Sequence, residues 1–407
     1  MKQGWKQRTI LYLAGQTVTL FGSSLVQFAI GWHITLTTKS GLMLTVATLC
    51  GFLPQVLISL FAGVWADRFS RKKLIILADG MIAAATAVLA VLFTLGYERL
   101  WLLFVISAIR SFGAGVQTPA VSALLPDIVP REKLMRVNGV NASIQSVMML
   151  MSPVAAGALY AELGLRATFW VDVLTAAVGV SLLLALRVAG KAPQPGERPR
   201  VFQDMFGGVR YVVQTKWLRQ FLGFYLIYAL MFGPVVFLTP LMVARSFGEE
   251  PWRLVAHEIV FAAGMTVGGV IAGVFADRFR NKVMLVIAAC AAFGAATFVM
   301  GFSPNFWFYL GIMFPMGVSM PFINTGSMTV LQTRVEPEAM GRVFGLVSTI
   351  SSAAMPLSMV VFGPISDTIS VETLLMITGA LMVGIALLCL RFPEMLAAGR
   401  PNAATAS

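Results

Sequence analysis

Apolar runs of about twenty residues or more, the length that crosses a hydrocarbon core of about 30 Å, follow one another along nearly all of the 407-residue chain. Their approximate limits are 9–36, 42–66, 74–96, 100–125, 134–161, 167–189, 218–244, 254–276, 283–302, 305–331, 341–366 and 371–392. Six precede a long polar stretch around 190–216 and six follow it. Within lipid, backbone N–H and C=O groups must find partners in their own segment, so each run is predicted to be a helix. The composition excludes a soluble globular chain: 58% of residues are hydrophobic, 12% are charged, and the mean hydropathy is +0.82. The prediction is an all-α membrane protein of twelve transmembrane helices in two bundles of six.

The net charge of +12 does not point to nucleic acid, because of where it sits. Of the 30 Lys and Arg, 24 fall at the N-terminus, in alternate loops and in the C-terminal segment. The opposite loops hold only Lys39, Arg99, Arg166, Arg245 and Arg253, and Arg110 lies inside a run. By the positive-inside rule the basic set is cytoplasmic, with both termini inside. The first run is too long for the core of a cleaved leader and lacks a small-residue cleavage site. Cys50, Cys290 and Cys389 lie within runs, with no metal or disulfide spacing.

A phrase occurs twice, 210 positions apart. Residues 62–73 read AGVWADRFSRKK and residues 272–282 read AGVFADRFRNK. A second echo pairs PDIVPREKLMRVNG (126–139) with TRVEPEAMGRVFG (333–345). Repetition of this kind marks duplicated, pseudo-symmetric halves, an arrangement common in secondary transporters. The expected organisation is a first bundle over 1–189, a cytoplasmic linker over 190–216, a second bundle over 217–392 and a cytoplasmic tail over 393–407. Within the linker, 201–215 is amphipathic and predicts a short helix on the membrane surface. Pairs of small residues four apart recur in both halves: Ser59/Gly63, Gly139/Ser143, Gly264/Gly268, Gly269/Gly273 and Gly341/Gly345. That spacing lets helices approach closely.

Asp67 and Asp277 end their helices beside positive charge. A carboxylate there can accept from the amides at the start of another helix. The expected partners are the helices starting near Gly341 and Leu134. Such contacts would latch one face shut, so Gly63, Asp67, Arg68, Arg71, Lys72, Gly273, Asp277 and Arg278 form a candidate conformational gate. Asn281 interrupts the second basic run, so the Asp67 side is expected to bear more of the gating energy.

Gly63-x-x-x-Asp67-Arg68-x-x-Arg71-Lys72 closely resembles the loop signature of the major facilitator superfamily. Further residues resemble its macrolide-efflux branch of bacterial drug exporters: Gly15-Gln16, Gly51-Phe52-Leu53-Pro54, Asp79, Arg110-Ser111, Thr118-Pro119-Ala120, Gln145-Ser146, Ser152-Pro153 and Asp172. The resemblance implies a proton-driven exporter of hydrophobic or amphipathic compounds, working by alternating access as a monomer in the bacterial cytoplasmic membrane. The antiporter pattern of the fifth helix appears as Ser152-Pro153-x-x-Ala156-Gly157. In this fold helices 1, 4, 7 and 10 line the cavity, which nominates Gln16, Gln27, Gln117, Tyr225, Tyr228, Phe232 and Asn324.

Ionisable groups within membrane helices are costly and usually functional. Arg110 lies about ten residues into the fourth helix, near the midplane, and is the leading coupling residue. Asp79 and Glu258 are candidate proton carriers, and Asp79 is also a candidate partner for Arg110. Asp172 is expected near the outer end of the sixth helix, within reach of water. An endogenous-metabolite exporter, such as one for siderophores, is the alternative substrate reading. A channel is disfavoured by the duplicated halves with latch loops. A membrane enzyme is disfavoured by the lack of a Ser-His-Asp, HExxH, CxxC or P-loop pattern. No cofactor is implied.

Overall fold

The computed structural model describes residues 4–186, 201–275, 279 and 281–400, without the side chains of Leu60, Val64, Asp67, 201–207 and Phe275. The described elements are all helical. They run α1 (Trp5–Thr38), α2 (Gly41–Arg68), α3 (Arg71–Thr94), α4 (Leu100–Ile128), a 3₁₀ turn (Arg131–Lys133), α5 (Leu134–Ala185), α6 (Val201–Gln214), α7 (Lys216–Met242), α8 (Pro251–Phe275), α9 (Lys282–Met300), α10 (Phe306–Arg334), α11 (Pro337–Ile365), α12 (Val371–Cys389) and α13 (Pro393–Ala398). Among the described residues, eleven helices are long and apolar enough to cross a membrane. One of them, α5, is folded in two at Gly164, whose φ of 74° is a conformation that side-chain-bearing residues avoid. Its arms, 134–163 and 165–185, supply two crossings and complete the expected twelve. The sequence suggests a loop at 162–166; one glycine makes the turn instead.

The chain divides into two compact units. Unit 1 is drawn from Met1–Thr38 with Met43–Pro199, and unit 2 from Lys39–Leu42 with Arg200–Ser407. Side chains such as Leu77, Leu174, Val270 and Trp307 stay exposed on single helices. In a membrane these are the surfaces that lipid covers.

Unit 1 is built in layers. At one end an apolar cluster joins Val26, Ile30, Ile34, Leu89, Phe93, Leu103 and Phe169. At the other, a second joins Tyr12, Ile75, Leu124, Leu125, Ile128 and Leu183. Between them in the sequence of every contributing helix lie buried polar residues: Gln16 and Thr19 on α1, Asp79 and Thr86 on α3, Arg110 and Gln117 on α4, and Asp172 on α5. A polar layer is thus sealed between two apolar ones.

The absence of Cβ atoms sets how close α1 and the second arm of α5 can come. A Cβ on Gly22 would lie 1.9 Å from Thr175 Oγ1 and 3.0 Å from Asp172 Oδ1; one on Gly179 would lie 1.9 Å from Thr19 Oγ1. No such contact surrounds Gly139, Gly269, Gly273, Gly341 or Gly345, where nothing lies within 4 Å of an added Cβ. Of the small-residue pairs read from the sequence, Gly264/Gly268 packs tightly: added Cβ atoms would meet Phe314 O and Val318 O of α10, each at 2.3 Å. Spacing permits close approach, and only some faces have a neighbour to approach.

In unit 2, α10 packs on α8 and α9, α9 on α12, and α7 on α11 and α12. The amphipathic segment does form a helix, α6, but it packs on α7 and α11 rather than lying alone. Gly208 permits this, since a Cβ there would sit 3.1 Å from Arg342 O. Asn281, read as an interruption of a basic run, caps α9: its Oδ1 accepts from Met284 N at 3.1 Å and its Nδ2 donates to Leu396 O at 2.9 Å.

Unit 2 also holds the segment Lys39–Leu42 by a dense clasp. Asp367 accepts from Gly41 N at 2.7 Å, Leu42 N at 2.9 Å, Ser40 Oγ at 2.8 Å and Arg245 Nη2 at 2.7 Å. Arg245 also donates to Lys39 O and to Ser366 O. The carboxylate therefore fills the N-terminal cap of α2, where free amides and the helix dipole favour negative charge. Arg245 lies in a π-helical turn, Val243–Phe247, that continues α7. Lys39 has a φ of 48°, uncommon for a residue with a side chain.

Two outcomes follow from these contacts. Gly22→Leu forces bulk against Thr175 and Asp172, and is expected to lower stability by about 1–3 kcal/mol, seen as a lower thermal midpoint in detergent. For Asp367, partial burial pushes the carboxyl pKa up, but the bonds from Leu42, Gly41, Ser40 and Arg245 outweigh it and hold the pKa below the usual range. Stability from a depressed carboxyl is present above its unfolded pKa of about 3.9 and disappears as pH falls through the lower folded value. Asp367→Ala is therefore expected to cost about 1–2 kcal/mol, equally at pH 8 and pH 5, with the difference closing only in stronger acid. Thermal unfolding of both proteins across that range checks it.

Candidate functional site

The polar layer of unit 1 centres on a buried ion pair. Arg110 Nη1 bonds Asp172 Oδ2 and the Thr86 hydroxyl, and Arg110 Nη2 donates to Ser23 O at 3.4 Å. Asp172 is further held by Thr86 Oγ1 at 2.9 Å and Ser23 Oγ at 3.3 Å. Arg110 is 8% exposed and Asp172 0%. Asp172 thus replaces Asp79 as the partner of Arg110, and it is sealed rather than reached by water. Gly22 beside it is what brings α1, carrying Ser23, close enough to contribute two contacts.

Asp79 lies in the same layer with a different partner. Its Oδ1 accepts from Gln117 Nε2 at 2.6 Å. Gln117, nominated for the cavity, is therefore engaged with an acid on α3. Gln16 is buried, with its Oε1 lacking a hydrogen-bond partner. Gln27 and Asn324 are exposed. Ser152, Pro153 and Gly157 are buried on the first arm of α5.

On α7 the aromatic stripe turns partly inward. Tyr228 packs on Phe224 and Phe293, with ring centroids 5.8 and 6.4 Å away, and Phe232 packs at a tilt against Phe293 at 5.4 Å. Phe293 belongs to α9, so this face serves the core of unit 2. Tyr225 stays half-buried and its hydroxyl meets Ser351 Oγ at 2.9 Å. Glu258 is half-buried on α8, and no hydrogen bond or ion pair to it is found among the described residues. Its neighbour His257 is engaged at Nδ1: Tyr309 OH donates to Thr239 O at 3.3 Å and meets His257 Nδ1 at 2.6 Å.

The basic run after α2 is tied to helix ends within unit 1. Arg71 donates to Ala66 O at 3.2 Å and Ala123 O at 2.7 Å, and pairs with Asp127 at 2.8 Å. Lys72 donates to Leu184 O and Leu186 O at 2.9 and 2.7 Å. Cations at the C-terminal carbonyls of α2, α4 and α5 complement those helix dipoles. Arg68 is exposed. Asp277, Arg278 and the side chain of Asp67 lie outside the described residues, as does the environment of Gly63; no atom lies within 4 Å of a Cβ placed on Gly273.

Three comparisons place this architecture. The family model for the Major Facilitator Superfamily matches residues 12–359. Macrolide efflux protein A of Streptococcus pyogenes is 32% identical over 392 residues, covering 95% of this chain and 96% of that protein. Multidrug efflux pump Tap of Mycobacterium tuberculosis is 26% identical, covering 92% of this chain and 90% of that protein. Among solved structures, the peptide transporter POT with sulfate superposes with a TM-score of 0.74 at 12% identity, covering 97% of this chain and 96% of that one. The nucleoside transporter NupG gives 0.69 at 13% identity, covering 93% and 98%. At those identities the structures speak for the fold alone. With that fold, those relatives and a match spanning most of its length, the chain is a multi-pass membrane transporter that belongs to the major facilitator superfamily.

Proposed function

We propose that this transporter is a secondary active exporter of hydrophobic or amphipathic compounds, macrolide-like drugs among them, driven by proton antiport through alternating access. The observation that carries the substrate class is the 32% identity to a macrolide efflux protein across 95% of the chain. The polar layer supports the class. Arg110 is the one Lys or Arg deep within a membrane run, and it is spent on Asp172. An anionic metabolite such as a catecholate siderophore would seek a free cation there, so the pairing favours neutral or cationic amphipathic cargo. The half-buried Tyr225 and exposed Gln27 and Asn324 remain the side chains suited to touch it. The bacterial relatives make the cytoplasmic membrane its expected home.

Within this reading Arg110 and Asp172 set the charge balance of unit 1, Asp79 and Glu258 are the acids available for proton coupling, and the duplicated Gly-x-x-x-Asp-Arg phrase is the conformational gate. Ser152, Pro153 and Gly157 form the antiporter-like face of α5.

The deciding experiment is uptake of a substrate panel by inverted membrane vesicles with and without an imposed pH gradient. Gradient-driven macrolide accumulation is expected; transport indifferent to the gradient would refute antiport. Arg110→Ala is expected to abolish export, and by leaving Asp172 an unpaired buried charge also to destabilise the fold by about 3–5 kcal/mol. The double variant Arg110→Leu, Asp172→Leu removes both charges. It is expected to recover the thermal midpoint while export stays lost; recovered export would remove the pair from the mechanism. Asp67→Asn is expected to slow transport while leaving substrate affinity largely intact, and an unchanged turnover would dismiss the gate.

A further inference from the structure

The polar layer of unit 1 contains a third membrane-depth ionisable group that the ion pair leaves aside. Asp79 is 1% exposed. Its Oδ1 accepts from Gln117, and its Oδ2 is buried with no hydrogen-bond partner. The neighbouring cations are engaged elsewhere: Arg110 with Asp172, Arg71 with Asp127 and two helix-end carbonyls, Lys72 with two more. A second orphan acceptor, Gln16 Oε1, belongs to the same level. Tyr12 OH donates to Val121 O at 2.7 Å, which fixes α1 against α4. Gln16 is one turn on from Tyr12, and Gln117 one turn back from Val121. Ile75 shares a cluster with Tyr12, and Asp79 is one turn on from Ile75 in α3. Side chains four apart share a helix face, so three helices bring an acid and two amides to one height.

Buried polar atoms are ordinarily satisfied, and each exception asks for a reason. An acceptor left without a hydrogen is served by adding one. A proton on Asp79 Oδ2 supplies the missing donor and removes an uncompensated charge from a layer where Arg110 and Asp172 already cancel. The charged and titratable groups presented toward this level from the packed elements are Tyr12 on α1, Arg110 on α4 and Asp172 on α5; on α3 itself, Arg71, Lys72 and Lys73 start about 9–12 Å away. Among the described residues, Gln117 is the polar neighbour bonded to Asp79.

We propose that Asp79 binds the exchanged proton, with Gln117 as the positioning residue that holds its carboxyl. This rests on the proton-driven exporter reading and assigns the coupling site to α3 of unit 1 rather than to Glu258. Proton binding converts the layer from a net charge of minus one to neutral, so one proton is carried for each conformational cycle of this unit. The unprotonated carboxylate needs water, which enters only when the layer opens. Charge and conformation are thereby linked, as differential binding to two states requires.

The test uses the full-length protein in inverted vesicles with a radiolabelled macrolide, measuring pH-gradient-driven accumulation and, separately, substrate counterflow without a gradient. Asp79→Asn keeps the shape and the acceptor for Gln117 but cannot exchange a proton. It is expected to lose accumulation by about tenfold or more while counterflow stays within about twofold, and Asp79→Glu is expected to restore part of the accumulation. Asp79→Asn accumulating as wild type does would overturn the assignment, as would loss of counterflow in a well-folded variant or a wild-type protein driven by a sodium gradient alone. Wild-type vesicles that accumulate nothing would instead defeat the exporter reading itself. Should Asp79→Asn fail to fold, infrared spectra of the wild type in lipid at neutral pH are expected to show a protonated-carboxyl band that moves in Gln117→Leu. A spectrum with no band sensitive to Gln117 overturns the proposal.

Discussion

A charge inside a membrane bundle must be matched where it stands, and unit 1 is organised around that demand. Arg110 is met by Asp172, and both are met by Thr86 and Ser23. Attraction in a low-dielectric interior offsets desolvation only when geometry is good and the remaining hydrogen-bonding groups are filled. Four helix segments therefore have to arrive at fixed heights and at close range. The glycines of α1 and of the second arm of α5 make the range possible, since added Cβ atoms would collide with Thr175, Asp172 and Thr19. The two apolar clusters keep water from both ends of the layer. The pair depends on the glycines for close approach and on the clusters for its dry surroundings.

Unit 2 solves its interior differently. Among its described residues the ion pairs lie at helix ends: Lys39 with Glu249, Lys216 with Glu394, Arg245 with Asp367, Arg253 with Glu250. Its buried polar contacts are neutral ones, such as Tyr309 with Thr239. Duplicated sequences have thus diverged in where they keep charge. One unit buries a charged layer, and the other relies on aromatic packing of Phe224, Tyr228 and Phe232 about Phe293. The signature phrase remains alike in both copies, but its surroundings do not: Arg71 and Lys72 tie helix ends in the first, and Asn281 caps α9 in the second.

The fold was legible because its causes are local. Twenty apolar residues must be a helix in lipid, and the repeat declares the two halves. The sites were legible only in part. Arg110 stands out in sequence because no other cation sits deep in an apolar run. Its partner does not stand out: Asp79 and Asp172 both lie in apolar runs, and the choice between them is made by packing across 62 residues of separation. Spacing also misassigned glycines, since Gly15, Gly22 and Gly179 carry the tight crossing while the repeated pairs at Gly139 and Gly341 face open space. The α7 stripe showed which residues share a face, but a periodicity cannot say whether that face meets cargo or the helix's own bundle.

The clasp at Asp367 shows the limit of local reading most clearly, and it also separates two jobs that acids perform in this molecule. Nothing near Asp367 in sequence predicts that it caps a helix more than 320 residues away. Four donors surround it and hold its carboxyl pKa below the usual range, which suits it to be a fixed anchor. Asp79 has one donor and an empty acceptor. An acid satisfied in its charged form is a structural bolt, whereas an acid left short of hydrogens gains from taking one up. On the assignment proposed for Asp79, the number of donors around each carboxylate, more than its depth or its place in a motif, divides anchor from carrier.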